Sequence, residues 1–465
     1  MAHTGHVFTK HHRRELAACL REIFPPSFWK RRHGELQTFE QCRVRWGIAR
    51  LWYAGLCMAL EPSPNLGERF ERARETCTGL FPKRRRCGRT WAGFLKAVRG
   101  VPLSFFGTVR QALQVRLAEV GLHPARMGRW EAYGLDGTKS DVPRTAAHEA
   151  RYGLATKGPG APQRQVVAAV ALRREVLWDW ESGSALDSER GLALQVIRRL
   201  PPGALAVLDA GFLGYAWGRA VRASGRHFLA RVGGNVRLWV ESLGKAEWRD
   251  GEVWLWPDEQ QAGPPLELRL LRVERLVRRK RRGQGGKRKV KREVLWLATD
   301  VLDEEQLTCA EARRLYGKRW PASEGTFRTW KRTLDAAKLY SRTPELAERE
   351  SEFSLCALQL LEVLAWTARR RHQDQKPRPV SVARARRVWR KAAAATAAGK
   401  TTGWLGGELA SAVIDSYRRR RAKVRRAWPQ RKEHRVLKGP EFRKLGPRRK
   451  QSGLVRLQEH NTRAS

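Results

Sequence analysis

The sequence predicts an α/β protein. It consists of a mixed sheet with a β-rich insertion ahead of its last helix, flanked by helical N- and C-terminal regions. Three observations predict this. Apolar residues recur at a spacing of three to four up to about residue 125, switch to alternation near residue 128, and then exchange strand-like runs with amphipathic ones. Pro-rich breaks such as PPSF and EPSPN punctuate the first part. The 465 residues are 42% hydrophobic, enough for a sizeable core and for more than one domain.

In order, residues 1–125 read as short helices: HHRRELAACLREIF, LQTFEQCRVRWGIARLWYAGLCMAL, LGERFERARETCTGLF and FFGTVRQALQVRLAEV. With the basic connector Pro82 to Arg89, this segment suits either a helix-turn-helix-like DNA reader or a helical cap packed on the next domain. Residues 126–232 begin the sheet. Trp130 to Asp136, Gln165 to Leu172 and Glu175 to Ser182 are strand-like, with a loop at Gly158-Pro159-Gly160-Ala161-Pro162. Asp187 to Leu200 is an amphipathic helix stopped by Pro201-Pro202-Gly203. Ala204 to Asp209 reads as a buried strand, Tyr215 to Ala223 as a helix and His227 to Val232 as another strand. Residues 233–300 hold four further strand-like runs around the basic, Gly-containing stretch Arg278 to Lys291. Helix resumes at Glu304 within residues 301–375 and includes the apolar span Pro344 to Arg371, started by Thr343 ahead of Pro344. Residues 376–465 add small helices and a basic tail from Tyr417, expected to be disordered without a partner.

Charge is the strongest bulk signal. Lys and Arg number 93 against 46 Asp and Glu, a net +47. Such an excess repels itself and calls for a polyanion, with nucleic acid ahead of an anionic membrane surface. Most of the 19 Trp are expected in the core, with some free to stack on bases. The seven Cys are widely spaced and odd in number, and His11-His12 has no Cys at ligand spacing. This points to reduced thiols in a cytosolic protein, without a disulfide framework or zinc finger. With no apolar signal core and no apolar run of about 18 residues, no membrane association is expected.

The chemistry concentrates in acids. Asp136 closes the first strand-like run and Asp209 the central one. Acids at strand ends lie at a sheet rim, where ligands bind. On a helix, Glu324, Phe327, Arg328 and Lys331 fall at i, i+3, i+4 and i+7, on one face. Three such carboxylates suit Mg²⁺ or Mn²⁺, and a pair of these ions suits phosphodiester cleavage. Each piece also has an ordinary reading: Asp136-Gly137 as a turn, Asp209-Ala210-Gly211 as a strand stop, Glu324–Arg328 as surface decoration.

Three stretches, LDGTKSDVPRT (135–145), LDAGFLGY (208–215) and YGKRWPASEGTFRTWKRTL (316–334), resemble the motif regions of DDE transposases of bacterial insertion sequences. The resemblance is to the insertion-sequence-four type, with its Tyr-Arg-Glu-Lys signature, and covers about 128 to 360. It implies an RNase H-like core, with Asp136, Asp209 and Glu324 as the catalytic, metal-binding triad for two Mg²⁺ or Mn²⁺ ions. It gives Tyr316, Arg319 and Lys331 the grip on DNA phosphates; Trp320 and Arg328 are read as DNA contacts beside them. The implied function is cut-and-paste transposition by a homodimer on double-stranded DNA ends and target, in the bacterial cytoplasm at the nucleoid. The alternatives are a non-catalytic DNA-binding protein derived from a transposase, or a structure-selective nuclease or resolvase on the same fold. In that group three residues separate the Arg from the Glu; here four do, Trp320-Pro321-Ala322-Ser323. Because Pro kinks a helix interior, the helix is expected to start near Pro321, with Glu324 in its dipole-favoured first turn.

Overall fold

A computed structural model describes residues 15–35, 46–81, 87–119, 123–154, 160–241, 250–261, 263–280, 288–371, 378–414 and 439–445. Parts of the Pro82 to Arg89 connector, the Gly158-to-Pro162 loop and the Arg278-to-Lys291 stretch, most of the basic tail, and His11-His12 lie outside them.

The elements are α1 (Leu16–Ile23), α2 (Pro26–Glu35), α3 (Ile48–Leu60), α4 (Leu66–Leu80), α5 (Trp91–Arg99), α6 (Leu103–Glu119), β1 (Arg126–Met127), β2 (Trp130–Asp141), α7 (Ala146–Tyr152), β3 (Gln163–Ala171) and β4 (Val176–Ser184). They continue with α8 (Glu189–Arg199), β5 (Leu205–Leu208), α9 (Tyr215–Ala223), β6 (His227–Arg231), β7 (Arg237–Val240), β8 (Asp250–Leu255), β9 (Leu266–Lys280) and β10 (Arg288–Thr299). The last are α10 (Cys309–Arg328), a π-helical turn (Thr329–Thr333), α11 (Pro344–Arg371), α12 (Val382–Ala397), α13 (Leu405–Ala410) and β11 (Glu441–Lys444). The class is mixed α/β with a large mixed sheet.

The chain divides into two compact units. The first comprises Met1–Arg126, Gly137–Asp187 and Ala322–Tyr417; the second comprises Met127–Asp136, Ser188–Pro321 and Arg418–Ser465. In the first unit α11 is the spine: it packs on α3, α5, α6, α12, α13 and β4. The stretch Phe353 to Ala365 dictates this: it is apolar on nearly every side, only Ser354, Gln359 and Glu362 being polar, and such a helix must be buried all round. Trp52 meets Phe24, Phe105, Phe106 and Phe353 in the same core. β4 ends the strand order, and its unpaired backbone groups are met by helix side chains. Glu362 accepts from Leu177 N–H at 2.9 Å, Gln359 donates to the carbonyls of Leu177 and Trp178, Gln114 donates to Trp178, and Arg110 donates to Trp180.

In the second unit the strand order is β11–β7–β8–β9–β10–β6–β5–β2. β2, β5 and β6 are parallel, with α8 and α9 as crossovers. The four runs of residues 233–300 are strands β7 to β10, and β10 joins β6 antiparallel, with Leu297 opposite Arg231. Within the basic tail, Glu441–Lys444 forms β11 rather than disordered chain: it pairs with β7 because Phe442 reaches Trp296 and Leu445 packs with Trp239 and Trp256.

Two local expectations fail. β2 runs on past Asp136 to Asp141, so Asp136 is inside the strand. Backbone bonds from Asp141 to Ala337 and from Leu339 to Asp141 supply partners for the extension, and the Asp-Gly pair makes no turn. The helix does not start near Pro321 either: α10 begins at Cys309, with Pro321 inside it. A reciprocal cap sets the start. Thr308 Oγ1 accepts from Glu311 N–H at 3.2 Å, and Glu311 Oε2 accepts from Thr308 N–H at 3.4 Å. Pro321 is tolerated because its i−4 neighbour is Gly317, which faces open space where the freed carbonyl can be hydrated.

Candidate active site

Strand register builds the acidic site of the second unit. Along β2 and β5, Ala132, Tyr133 and Gly134 pair with Leu205, Ala206 and Val207. Carried two residues further, that register sets Asp136 beside Asp209. Along β5 and β6, Leu205 to Leu208 pair with His227 to Ala230. One step further sets Asp209 beside Arg231. Three side chains thus stand level on neighbouring strands, about 4.8 Å apart in the hydrogen-bonding direction. The residues behind them, Tyr133, Leu135, Val207 and Leu208, are fully buried and hold the register rigid.

From α10, Tyr316 and Arg319 at i and i+3 reach the same acids. Arg319 Nη1 donates to Asp136 Oδ2 at 3.0 Å, and Nη2 lies 3.8 Å from Asp209 Oδ1. Tyr316 O–H donates to Asp209 Oδ1 at 3.1 Å, and the Arg319 guanidinium sits 5.5 Å over its ring. Arg231 holds Asp209 with Nε on Oδ1 at 2.6 Å and Nη2 on Oδ2 at 3.4 Å. The Arg319 side chain is 5% exposed, whereas Asp136 and Asp209 are 31% and 38% exposed. One sealed guanidinium therefore spans two carboxylates that remain open to solvent. Burial works to raise the Asp209 pKa, but the hydrogen bond and charge of Arg231, the charge of Arg319 and the Ala210 N–H outweigh it and hold the carboxyl below its ordinary value. Burial, with the Asp209 charge, pushes the Tyr316 hydroxyl up to about 12, so it stays a donor. Trp320 is 58% exposed.

Glu324, Arg328 and Lys331 belong to the first unit. Arg328 Nη2 lies 3.6 Å from Glu324 Oε1, and both side chains are about half exposed. Glu324 stands near the C-terminal end of α10, not in a first turn, so the expected N-terminal dipole support falls on Glu311 instead. The single face expected for Glu324, Phe327, Arg328 and Lys331 also breaks. Phe327 turns inward at 6% exposure, and Lys331 lies in the π-helical turn, where Leu334 N–H bonds Thr329 O and the regular spacing is lost. Burial lowers the Lys331 pKa, with the charges of Asp141 and Glu324 opposing.

The structure thus gathers Asp136, Asp209, Tyr316 and Arg319 in one unit and Glu324, Arg328 and Lys331 in the other. Among the described residues, no three His, Cys, Asp or Glu side chains gather as a metal-binding group. Arg231 is absent from the sequence-derived set of site residues. Finding it takes the parallel register of β5 and β6, which places it beside Asp209 across the α9 crossover.

Residues 133–360, just under half of the chain, match the family model described as transposase DDE domain. All the site residues named above fall within that span. No curated protein matches the chain. Among solved structures it is distantly similar to the cryo-EM structure of a piggyBac transposase synaptic complex with hairpin DNA, at 8% identity and a TM-score of 0.41, with 88% of each chain covered.

Proposed function

We propose that the protein is a DNA transposase of the insertion-sequence-four type, cutting element ends and joining them to target DNA. The observation that carries this is the level pairing of Asp136 and Asp209 on adjacent parallel strands, inside the segment that matches the transposase DDE model. Glu324 is assigned as the third carboxylate on the sequence pattern. The donor set fits a hard divalent cation: two solvent-open carboxylates, one held ionised, draw two guanidinium groups onto themselves as positive charge of the kind a metal would bring. Asp136, Asp209 and Glu324 would hold Mg²⁺ or Mn²⁺, two ions on this reading, which would supply the polarisation of water and of the scissile phosphate. Arg319 fixes both carboxylates at once, and Tyr316 orients Asp209. Trp320, Arg328 and Lys331 are placed on the DNA, Trp320 for stacking and the cations for phosphates. The net +47 supplies the long-range attraction to duplex DNA. Two ends must be held together, which calls for a homodimer, and a soluble protein of the bacterial nucleoid fits the charge. No helix among the described residues is long and apolar enough to cross a membrane.

The test is a strand-transfer assay with Mg²⁺ on a fragment carrying the native flanking repeats. Cleavage and joining are expected, and Asp209→Asn is expected to abolish both while DNA retention persists. Nicking without joining would indicate a structure-selective nuclease. Binding with neither would indicate a non-catalytic DNA-binding protein. A cutting Asp209→Asn variant would remove the triad assignment.

A further inference from the structure

Arg231 is the one member of the acidic site that no motif assigns, and its geometry is specific. It is the last residue of β6, level with Asp209 by the parallel register, and opposite Leu297 on β10. Its guanidinium meets Asp209 side-on, Nε at 2.6 Å and Nη2 at 3.4 Å, so both carboxylate oxygens are engaged. Asp209 Oδ1 is also met by Tyr316 O–H at 3.1 Å and lies 3.8 Å from Arg319 Nη2. That oxygen already takes two hydrogen bonds, with a second guanidinium close by, so a ligand entering there competes with them.

Charge bookkeeping points the same way. Asp136 and Asp209 carry two negative charges, and Arg231 and Arg319 carry two positive ones, so the cluster is neutral as it stands. A divalent ion added beside the carboxylates with both guanidinium groups in place would leave the site net positive, even with Glu324 counted as the third carboxylate, in partly desolvated surroundings. One guanidinium must withdraw. Arg319 is sealed in at 5% exposure and also holds Asp136. Arg231 is 21% exposed; its one acidic partner shown among the described residues is Asp209, with the Tyr316 hydroxyl also against its guanidinium.

We infer that Arg231 is a resident counter-cation of this site: it occupies the Asp209 carboxylate while no divalent ion is bound and must release it for the ion to enter. This rests on the reading of Asp136 and Asp209 as metal ligands. Arg231 is then a positioning residue. It holds Asp209 level with Asp136 on the adjacent strand without a metal, where repulsion between the two carboxylates would otherwise push them apart. In exchange it weakens divalent-ion affinity by competition. Release of the side chain couples ion binding to a freed cation at the site mouth.

The test measures Mn²⁺ binding to the full-length, DNA-free chain by the electron paramagnetic resonance signal of the free ion. Melting midpoints in EDTA are followed in parallel. Arg231→Gln is expected to bind Mn²⁺ at least tenfold more tightly than the wild type and to melt lower in EDTA, with Mn²⁺ closing that gap. Arg231→Lys, which keeps the charge but not the fork, is expected to fall between. Arg219→Gln removes an exposed cation of the same unit that bonds Tyr215 and touches neither acid; it is expected to leave Mn²⁺ affinity unchanged. If Arg231→Gln binds Mn²⁺ no more tightly than wild type while Asp209→Asn loses binding, the counter-cation role is wrong and the metal site stands. An equal gain in Arg219→Gln also removes it, because the effect is then net charge and not competition at Asp209. If Asp209→Asn binds Mn²⁺ as wild type does, the metal site itself falls and this inference falls with it.

Discussion

Glu362 should make the stability of the protein fall as pH rises through neutrality. It sits in the middle of α11 at 4% exposure, and among the described residues the Leu177 N–H at 2.9 Å is the group shown bonding its carboxyl. Burial pushes its pKa up from an ordinary 4.5 to about 8, the backbone bond opposing. The folded state therefore binds a proton that the unfolded chain gives up near 4.5. That stabilising contribution is complete below the unfolded value and is lost as pH climbs toward 8. At 1.36 kcal/mol per unit, the full span amounts to about 5 kcal/mol, an upper figure if the core relaxes around the charge. Gln359 Oε1, one turn away on the same face, is buried without a donor, and a protonated Glu362 can supply one. Glu362→Gln keeps an acceptor for Leu177 and a donor on the other side without a titrating proton. Melting midpoints of both proteins from pH 5 to 8.5 provide the assay. The two should nearly coincide at pH 5 and separate in favour of Glu362→Gln toward pH 8. The buried Glu350 carboxyl, also pushed up by burial, leaves a residual slope common to both. Curves that stay parallel across the range would refute the reasoning.

Two further outcomes bear on the site. Arg319→Ala exposes two carboxylates to each other; because both are a third exposed and screened, the loss is expected at about 2 kcal/mol in EDTA, read by urea denaturation, and Mg²⁺ should recover part of it. Trp320→Ala removes a 58% exposed ring, so the melting midpoint should stay within about a degree while affinity for element-end DNA falls several-fold in a gel-shift titration.

Much of the architecture could be read from the chain where one physical signal dominated. Tyr215–Ala223 and Pro344–Arg371 are helices with the bounds their apolar spacing and terminal residues suggest, and the strand-like runs of residues 233–300 are strands. Failures arose where a local signal met a distant partner. Asp136-Gly137 looks like a turn, but the segment near Ala337 offers the backbone bonds that keep β2 extended. Pro321 looks like a helix start, but the Thr308–Glu311 cap lies thirteen residues earlier in the sequence, and Gly317, four residues before the proline, faces open space. A π-helical turn leaves no trace in an apolar period, so the placement of Lys331 on the Glu324 face could not be corrected beforehand. Arg231 needed a count of register across a crossover, which single-strand patterns do not contain.

An arginine beside an acid is not by itself a mark of function in a chain with 93 Lys and Arg. What separates the pairs is the exposure of the acid. Asp179 is 2% exposed; Arg110 Nε bonds it at 2.9 Å and also holds the β4 edge through the Trp180 carbonyl. Its charge is desolvated and answered inside the fold, by Arg110 and by the Trp180 N–H at 2.7 Å, so it serves the fold. Asp136 has a comparable arginine bond, at 3.0 Å, but is 31% exposed, so its carboxylate stays open to solvent. The two should respond oppositely to the same isosteric change. Asp179→Asn leaves the Arg110 charge uncompensated in the core and is expected to cost about 3–5 kcal/mol, with protease sensitivity rising across the first unit. Asp136→Asn is expected to cost about 1 kcal/mol or less, to leave the melting midpoint within a few degrees of wild type, and to lose Mn²⁺ binding. An Asp136→Asn protein that unfolds as readily as Asp179→Asn would show that Asp136 serves the fold as well, and exposure would no longer distinguish the two acids.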